Sequence, residues 1–114
     1  MKFTSADYSA KLPLPATEKW PEGVWDLEAF RHGSMSLIFF APKGNDYQTS
    51  HDQDELYIVL KGSGTLEVEG QPTDFQAGDV LFVPAQKRHR FTQFEEGIQM
   101  WAVFYGPAGG EAGA

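Results

Sequence analysis

His51, Glu55 and His89 are the residues of this chain best suited to chemistry. Two imidazoles and a carboxylate form a minimal ligand set for a divalent transition metal. On a straight strand His51 and Glu55 would share a face about 13 Å apart, whereas the ligands of a single ion sit about 2 Å from it. The chain must therefore bend between them, and the polar stretch Asp52, Gln53, Asp54 suits a bend. A helix would bring positions four apart together, but residues 56–60 are a β-forming run. Taken singly, each residue has a plainer reading. His51 and Glu55, beside Asp52 and Asp54, make an exposed acidic turn, and His89, among Lys87, Arg88 and Arg90, makes a basic loop. Their joint spacing is what sets them apart.

The elements that must position them are β-strands. Apolar or alternating runs at residues 35–41, 55–61, 65–69, 80–83, 89–94 and 98–105 are divided by glycine-rich turns, the rhythm of an all-β sandwich or barrel. In residues 65–69 polar Thr65, Glu67 and Glu69 alternate with Leu66 and Val68, so one face is wet. In residues 55–60 both faces are apolar after Glu55. Tyr57 and Val59 follow the carboxylate inward, while Leu56, Ile58 and Leu60 face a second layer or another subunit. Residues 1–33 read as an irregular N-terminal arm, broken by Pro13, Pro15 and Pro21, whose tryptophans cover this subunit's core or a partner's. Residues 34–105 form the barrel, and the glycine-rich tail 106–114 is expected to be flexible.

With 114 residues the chain fits a single domain, near the size at which oligomerisation often supplements the core. The absence of cysteine limits any metal site to nitrogen and oxygen donors and fits a reducing compartment. Sixteen acidic against nine basic residues give a net charge of −7, unfavourable for nucleic acid or an anionic membrane. Without a signal-like start or a membrane-length apolar run, the expectation is a cytoplasmic protein with a small-molecule ligand.

His51, Glu55 and Gly62, followed by Gly78, Pro84 and His89, resemble the two motifs of the cupin superfamily. In the first motif His51 and Glu55 match the second histidine and the glutamate, while the place of the first histidine falls on Thr49. In the second, Gln86 stands where a second glycine is usual. The chain also resembles a branch of small single-domain bacterial cupins, of the cupin type 2 kind, through Gln48, Asp54, Arg90, Phe91, Trp101, Phe104, Tyr105, Gly106 and Pro107. The resemblance implies a jelly-roll β-barrel, or double-stranded β-helix, within each chain, and a homodimer of such chains. It also implies one divalent transition metal (Fe, Mn, Ni or Zn) held by His51, Glu55 and His89, with positions open to water and substrate. The missing fourth ligand leaves an extra open position, a place for Thr49, Gln48 or water, or an empty pocket.

Gln48, Thr49, Tyr57, Phe91, Gln93 and Trp101 are the candidate pocket residues, Gln93 because it follows His89 and Phe91 on one face. Two function classes result. One is a metal-dependent enzyme, an oxygenase or an isomerase of a small organic ligand, with oxygen chemistry favoured because few bases remain once the ligands are committed. The other is a metal-free module that holds a metabolite without turnover.

Overall fold

A computed structural model describes residues 1–112. Its elements are α1 (Ser5–Ser9), β1 (Asp26–His32), β2 (Met35–Phe40), β3 (Asp54–Lys61), β4 (Gly64–Val68), β5 (Gln71–Phe75), β6 (Val80–Val83), β7 (His89–Phe94) and β8 (Gln99–Tyr105). The strands form two antiparallel sheets, one ordered β1-β2-β8-β3-β6 and the other β5-β4-β7. Their inner faces enclose one core that includes Phe40, Tyr57, Val59, Leu66, Leu81, Val83, Phe91 and Met100. Among the described residues no helix is long and apolar enough to cross a membrane.

The expected closed jelly-roll barrel is not formed, because the two sheets remain separate and no ladder joins their edges. The reason lies in residues 42–53, which carry Pro42, Gly44 and Asn45 and run past the free edge of β7 without becoming a strand. There the backbone N–H of His89 donates to the Thr49 carbonyl at 2.7 Å. The next inward N–H on that edge, from Phe91, donates to the carboxyl of Asp46 at 2.8 Å. A side chain has taken the bond that a neighbouring strand's carbonyl would accept, so the edge is satisfied without sheet closure.

The irregular arm also needs correction. Residues 26–32 form β1, which pairs with β2 through a two-residue turn at Gly33 and Ser34. Ahead of it, α1 is capped by the Thr4 hydroxyl, which accepts from Asp7 N at 3.2 Å. The arm lies on its own chain. Phe3 packs on Phe30 and Tyr8 on Trp101, with ring centroids 5.4 and 5.8 Å apart, so it covers the outer face of β1, β2 and β8. It does not reach the outer face of β3 and β6, where Ile58, Leu60, Val80 and Phe82 remain exposed. The expected flexible tail is docked as far as Glu111, with Gly109 N donating to Asp52 O at 2.7 Å and Glu111 N to Asp54 Oδ2 at 2.9 Å. Residues 113–114 of that tail lie outside the described residues.

The spaced glycines have a backbone reason: Gly62 and Gly78 both sit at positive φ, 91° and 94°. Gln86, in the place of the motif's second glycine, also has positive φ, 66°, and its N–H donates to the His51 carbonyl at 2.6 Å. The left-handed conformation is unfavourable for a residue with a Cβ. Gln86→Gly is expected to raise the free energy of unfolding in urea by about 0.5–1 kcal/mol, after allowing for the greater freedom of glycine in the unfolded chain. An unchanged or lowered midpoint would show that this turn is not strained.

Candidate metal centre

Each candidate ligand is placed by a different local device. Glu55 is the second residue of β3, and the alternation of that strand turns it inward with Tyr57 and Val59. The bend that brings His51 to it is pinned by two side chains. Gln53 Nε2 donates to the carbonyls of Ser34 and Gly106 at 2.7 and 2.9 Å. Asp54 accepts from Ala85 N and Glu111 N, both at 2.9 Å, and these two bonds hold its carboxyl below the usual range. His89 opens β7 and is only 4% exposed.

The ligand atoms of His51, Glu55 and His89 all lie within 4.8 Å of one another. His89 Nδ1 lies 3.0 Å from the Lys87 carbonyl, an acceptor, so Nδ1 carries the hydrogen and Nε2 faces the cluster. That Nε2 stands 3.2 Å from Glu55 Oε1 and 3.3 Å from the Tyr57 hydroxyl. Glu55 is 2% exposed, yet its Oε1 has no hydrogen-bond partner among the described residues, because the approach of His89 is close without being aligned. Ligands about 2.1 Å from an ion stand about 3.0–3.4 Å from their neighbours around it. The observed separation of Glu55 and His89 falls in that interval, and the donor set of two imidazoles and one carboxylate fits a divalent ion.

Burial is the largest influence on the titration of the cluster. It raises Glu55, against the pull of His89, and raises Tyr57 well above the usual phenol value. It also lowers His89, but contact with Glu55 and the Lys87 carbonyl outweighs it, so the net shift is upward. His51 is pushed down to about 4, first by burial and then by the charges of His89 and Lys19.

A cavity of about 210 Å³ opens beside His51 and Glu55, lined also by Tyr57 and Gln48 and by the apolar Ile38, Phe40, Ala102 and Phe104, while His89 borders the neighbouring groove. Lys19, Trp20 and Asp26 complete its rim. Asp26 faces inward opposite Phe40, and burial raises its pKa while Lys19 pulls it down.

The other candidate pocket residues are placed elsewhere. Phe91 is buried beneath Tyr57, ring centroids 5.0 Å apart, as core under the cavity. Thr49 is exposed and lines a surface groove that Gln48 and His89 border as well, with Glu67 and Arg88. Trp101 lies on the outer face of β8, edge-on to Phe39 at 5.2 Å. Gln93 is exposed because β7 carries a bulge: Leu66 pairs with Phe91 and Thr65 with Gln93, so Thr92 is an extra residue that reverses the alternation. Lys19, Trp20 and Asp26 are absent from the sequence reading, since no local signal links residues 19–26 to His51. The β1–β2 pairing does so, together with the packing of Trp20 on Tyr47.

Residues 36–103 match the family described as Cupin domain, and the chain belongs to the cupin superfamily. It is 32% identical over 83 residues to an uncharacterised protein of Streptomyces coelicolor, covering 71% of this chain and 79% of that one. It is 28% identical over 65 residues to dimethylsulfoniopropionate lyase DddW of Ruegeria pomeroyi, covering 57% of this chain and 43% of the lyase. The structure of KdgF from Halomonas sp. superposes with a TM-score of 0.61 at 17% identity, over 70% of this chain and 77% of that one, a likeness of fold.

The titration of His51 has a measurable consequence in metal-free protein. Its pKa of about 4 lies below the usual 6.5. As pH falls between those values the unfolded chain takes up this proton and the folded chain does not, so the contribution of His51 to stability is complete above pH 6.5 and is lost toward pH 4. His89, shifted upward, acts in the opposite sense in wild type and variant alike. In EDTA, His51→Gln is expected to show a shallower fall in Tm than wild type across this interval. Parallel curves would mean that the ring is solvated.

Proposed function

We propose that this chain is a mononuclear metal-dependent cupin enzyme, its ion held by His51, Glu55 and His89, that acts on a small organic acid in the cavity lined by His51 and Glu55. The observation that carries the reading is Glu55 Oε1, a buried carboxylate oxygen with no hydrogen bond, beside the inward-facing nitrogen of His89. A polar atom so placed is unfavourable unless something positive meets it. When bound, a divalent ion supplies Lewis acidity and, if redox-active, electron transfer.

This chain's own residues supply the rest. Ile38, Phe40, Ala102 and Phe104 exclude water from one wall, and the volume of about 210 Å³ suits a small ligand. Lys19 is the cation on the cavity lining and attracts an acid group toward the rim. The Tyr57 hydroxyl, donating to Gln48 at 3.1 Å, holds a proton next to His89. Asp26 is a carboxyl in the cavity outside the ligand set, and burial raises its pKa toward that of a useful base. Its presence reverses the preference drawn from the sequence: a free base favours proton transfer, as in an isomerase or a lyase, over oxygen chemistry. The homodimer belongs to the same reading. The uncovered apolar face of β3 and β6, with Val80 59% and Phe82 51% exposed, supports a second copy as its occupant, and a monomer in light scattering would remove that part.

Protein purified without an affinity tag is expected to contain, or to take up, one equivalent of Fe, Mn, Ni or Zn, and Glu55→Gln and His89→Ala to lose it. A metal at 100 times its Kd should add about 2.7 kcal/mol of stability, read as a higher Tm. With a turned-over acid in hand, Asp26→Asn is expected to lower kcat by about 100-fold or more at unchanged metal content. Absence of binding for all four metals would end the reading in favour of a metal-free module.

A further inference from the structure

The first histidine of the motif is missing, and its place, Thr49, does not face the cluster. Thr49 is exposed in a surface groove, and its carbonyl is committed to His89 N at 2.7 Å. The neighbouring side chain, Gln48, borders the same groove but is half-buried, and its amide oxygen reaches Tyr57 and His51 inside. We propose, on the reading that the cluster holds a divalent ion, that the amide oxygen of Gln48 is the fourth protein donor to that ion and that buried Asp46 is the residue that aims it.

The argument rests on where that oxygen stands and why it is the oxygen. Gln48 Oε1 is 3.3 Å from His51 Nε2 and 3.1 Å from the Tyr57 hydroxyl, which in turn is 3.3 Å from His89 Nε2. Oε1 thus lies at neighbouring-ligand distance from one candidate donor and one short contact from another. Either end of an amide could occupy the position, but the other end is fixed. Asp46 Oδ2 lies 2.7 Å from Gln48 Nε2, and the Asp46 carboxyl also accepts from Gln48 N at 3.1 Å and Phe91 N at 2.8 Å. A carboxyl receiving those bonds is an acceptor, so it selects the NH2 end of Gln48 and leaves the oxygen facing the cluster. Asp46 is 5% exposed and held by two backbone N–H groups, so the selection is rigid. The resulting set has two imidazoles, a carboxylate and a neutral amide oxygen. Exchanging an imidazole for a carbonyl oxygen moves preference toward Mn(II) and away from metals that favour nitrogen, such as Ni(II) and Zn(II).

The test is titration of tag-free protein with Mn(II), read by the EPR signal of free Mn(II), and with Co(II), read by its visible absorption. Wild type is expected to bind both. Gln48→Ala is expected to weaken Mn(II) at least 10-fold and change the Co(II) spectrum. Gln48→Glu, which keeps an oxygen in place, should retain binding, and Gln48→His should improve Ni(II) relative to Mn(II). Asp46→Asn should weaken Mn(II) by about 10-fold through loss of aim, and Thr49→His should not compensate for Gln48→Ala. Circular dichroism establishes that each variant is folded; should Gln48→Ala fail to fold, Gln48→Glu and Gln48→His carry the comparison. An unchanged Mn(II) affinity and Co(II) spectrum in folded Gln48→Ala, or an unchanged Ni(II) to Mn(II) ratio in Gln48→His, would overturn the assignment while leaving the three-residue centre intact. Failure of the wild type to bind either metal would instead refute the metal reading on which the assignment rests.

Discussion

A carboxylate buried at 2% exposure, with one oxygen lacking a hydrogen bond, constrains the rest of this structure. Burying such a group is unfavourable unless charge or hydrogen bonds meet it. The neighbours of Glu55 are arranged accordingly, with His89 Nε2 at 3.2 Å and the Tyr57 hydroxyl against the same imidazole. The constraint also sets register. A slip of β3 by one residue would carry Glu55 to the outer face and bring Leu56 and Ile58 in, so the pairing with β6 and β8 fixes the carboxylate as firmly as it fixes the core. The centre and the fold thus share one strand, and neither can shift alone.

The unclosed edge between the sheets serves the centre as well. Along β7 the structure places a loop where a strand would complete a barrel, and Asp46 from that loop takes the Phe91 N–H. Because the contact is made by a side chain, the loop is free to leave strand geometry immediately afterwards. Gln48 can then turn inward while Thr49 turns out, which strict alternation forbids to neither residue but which also brings His51 to the same cavity three positions later. A regular strand would have put Gln48 and His51 on opposite faces.

Most of the strands were legible because their signals are local. The alternation of residues 55–60, and the turn glycines around them, mark β3 without knowledge of any other element. β5 was hidden because Pro72 breaks the strand pattern, and proline is tolerated there only because β5 is an edge strand, a property of the sheet and not of the segment. β1 was hidden among prolines and tryptophans that precede it. In the candidate site, the joint spacing of His51, Glu55 and His89 identified residues that the fold does bring together. Gln93 followed a sound rule that one extra residue, Thr92, annuls, and a bulge leaves no mark in a single sequence. Asp26 reaches the cavity through its pairing with β2, and Lys19 beside Trp20, which packs on Tyr47; both are contacts across the chain, so no window around either residue contains the information.

That division bears on what family membership can say. The candidate donors His51, Glu55 and His89, with Gln48 and Asp46, all fall within residues 36–103, the part that matches the cupin family. Lys19, Trp20 and Asp26, which supply the rim's cation, aromatic cover and free carboxyl, fall outside it. The segment ahead of β1, which carries Lys19 and Trp20, is anchored to the outer face of the sheet by Phe3 and Tyr8, and to the loop by Trp20, whose ring meets Tyr47 edge-on at 5.3 Å. The rim is therefore held by contacts from residues outside the family match. The candidate metal ligands lie in the shared part, and part of the cavity rim lies ahead of it. A relative matched only over the shared part is informative about the centre and silent about the substrate.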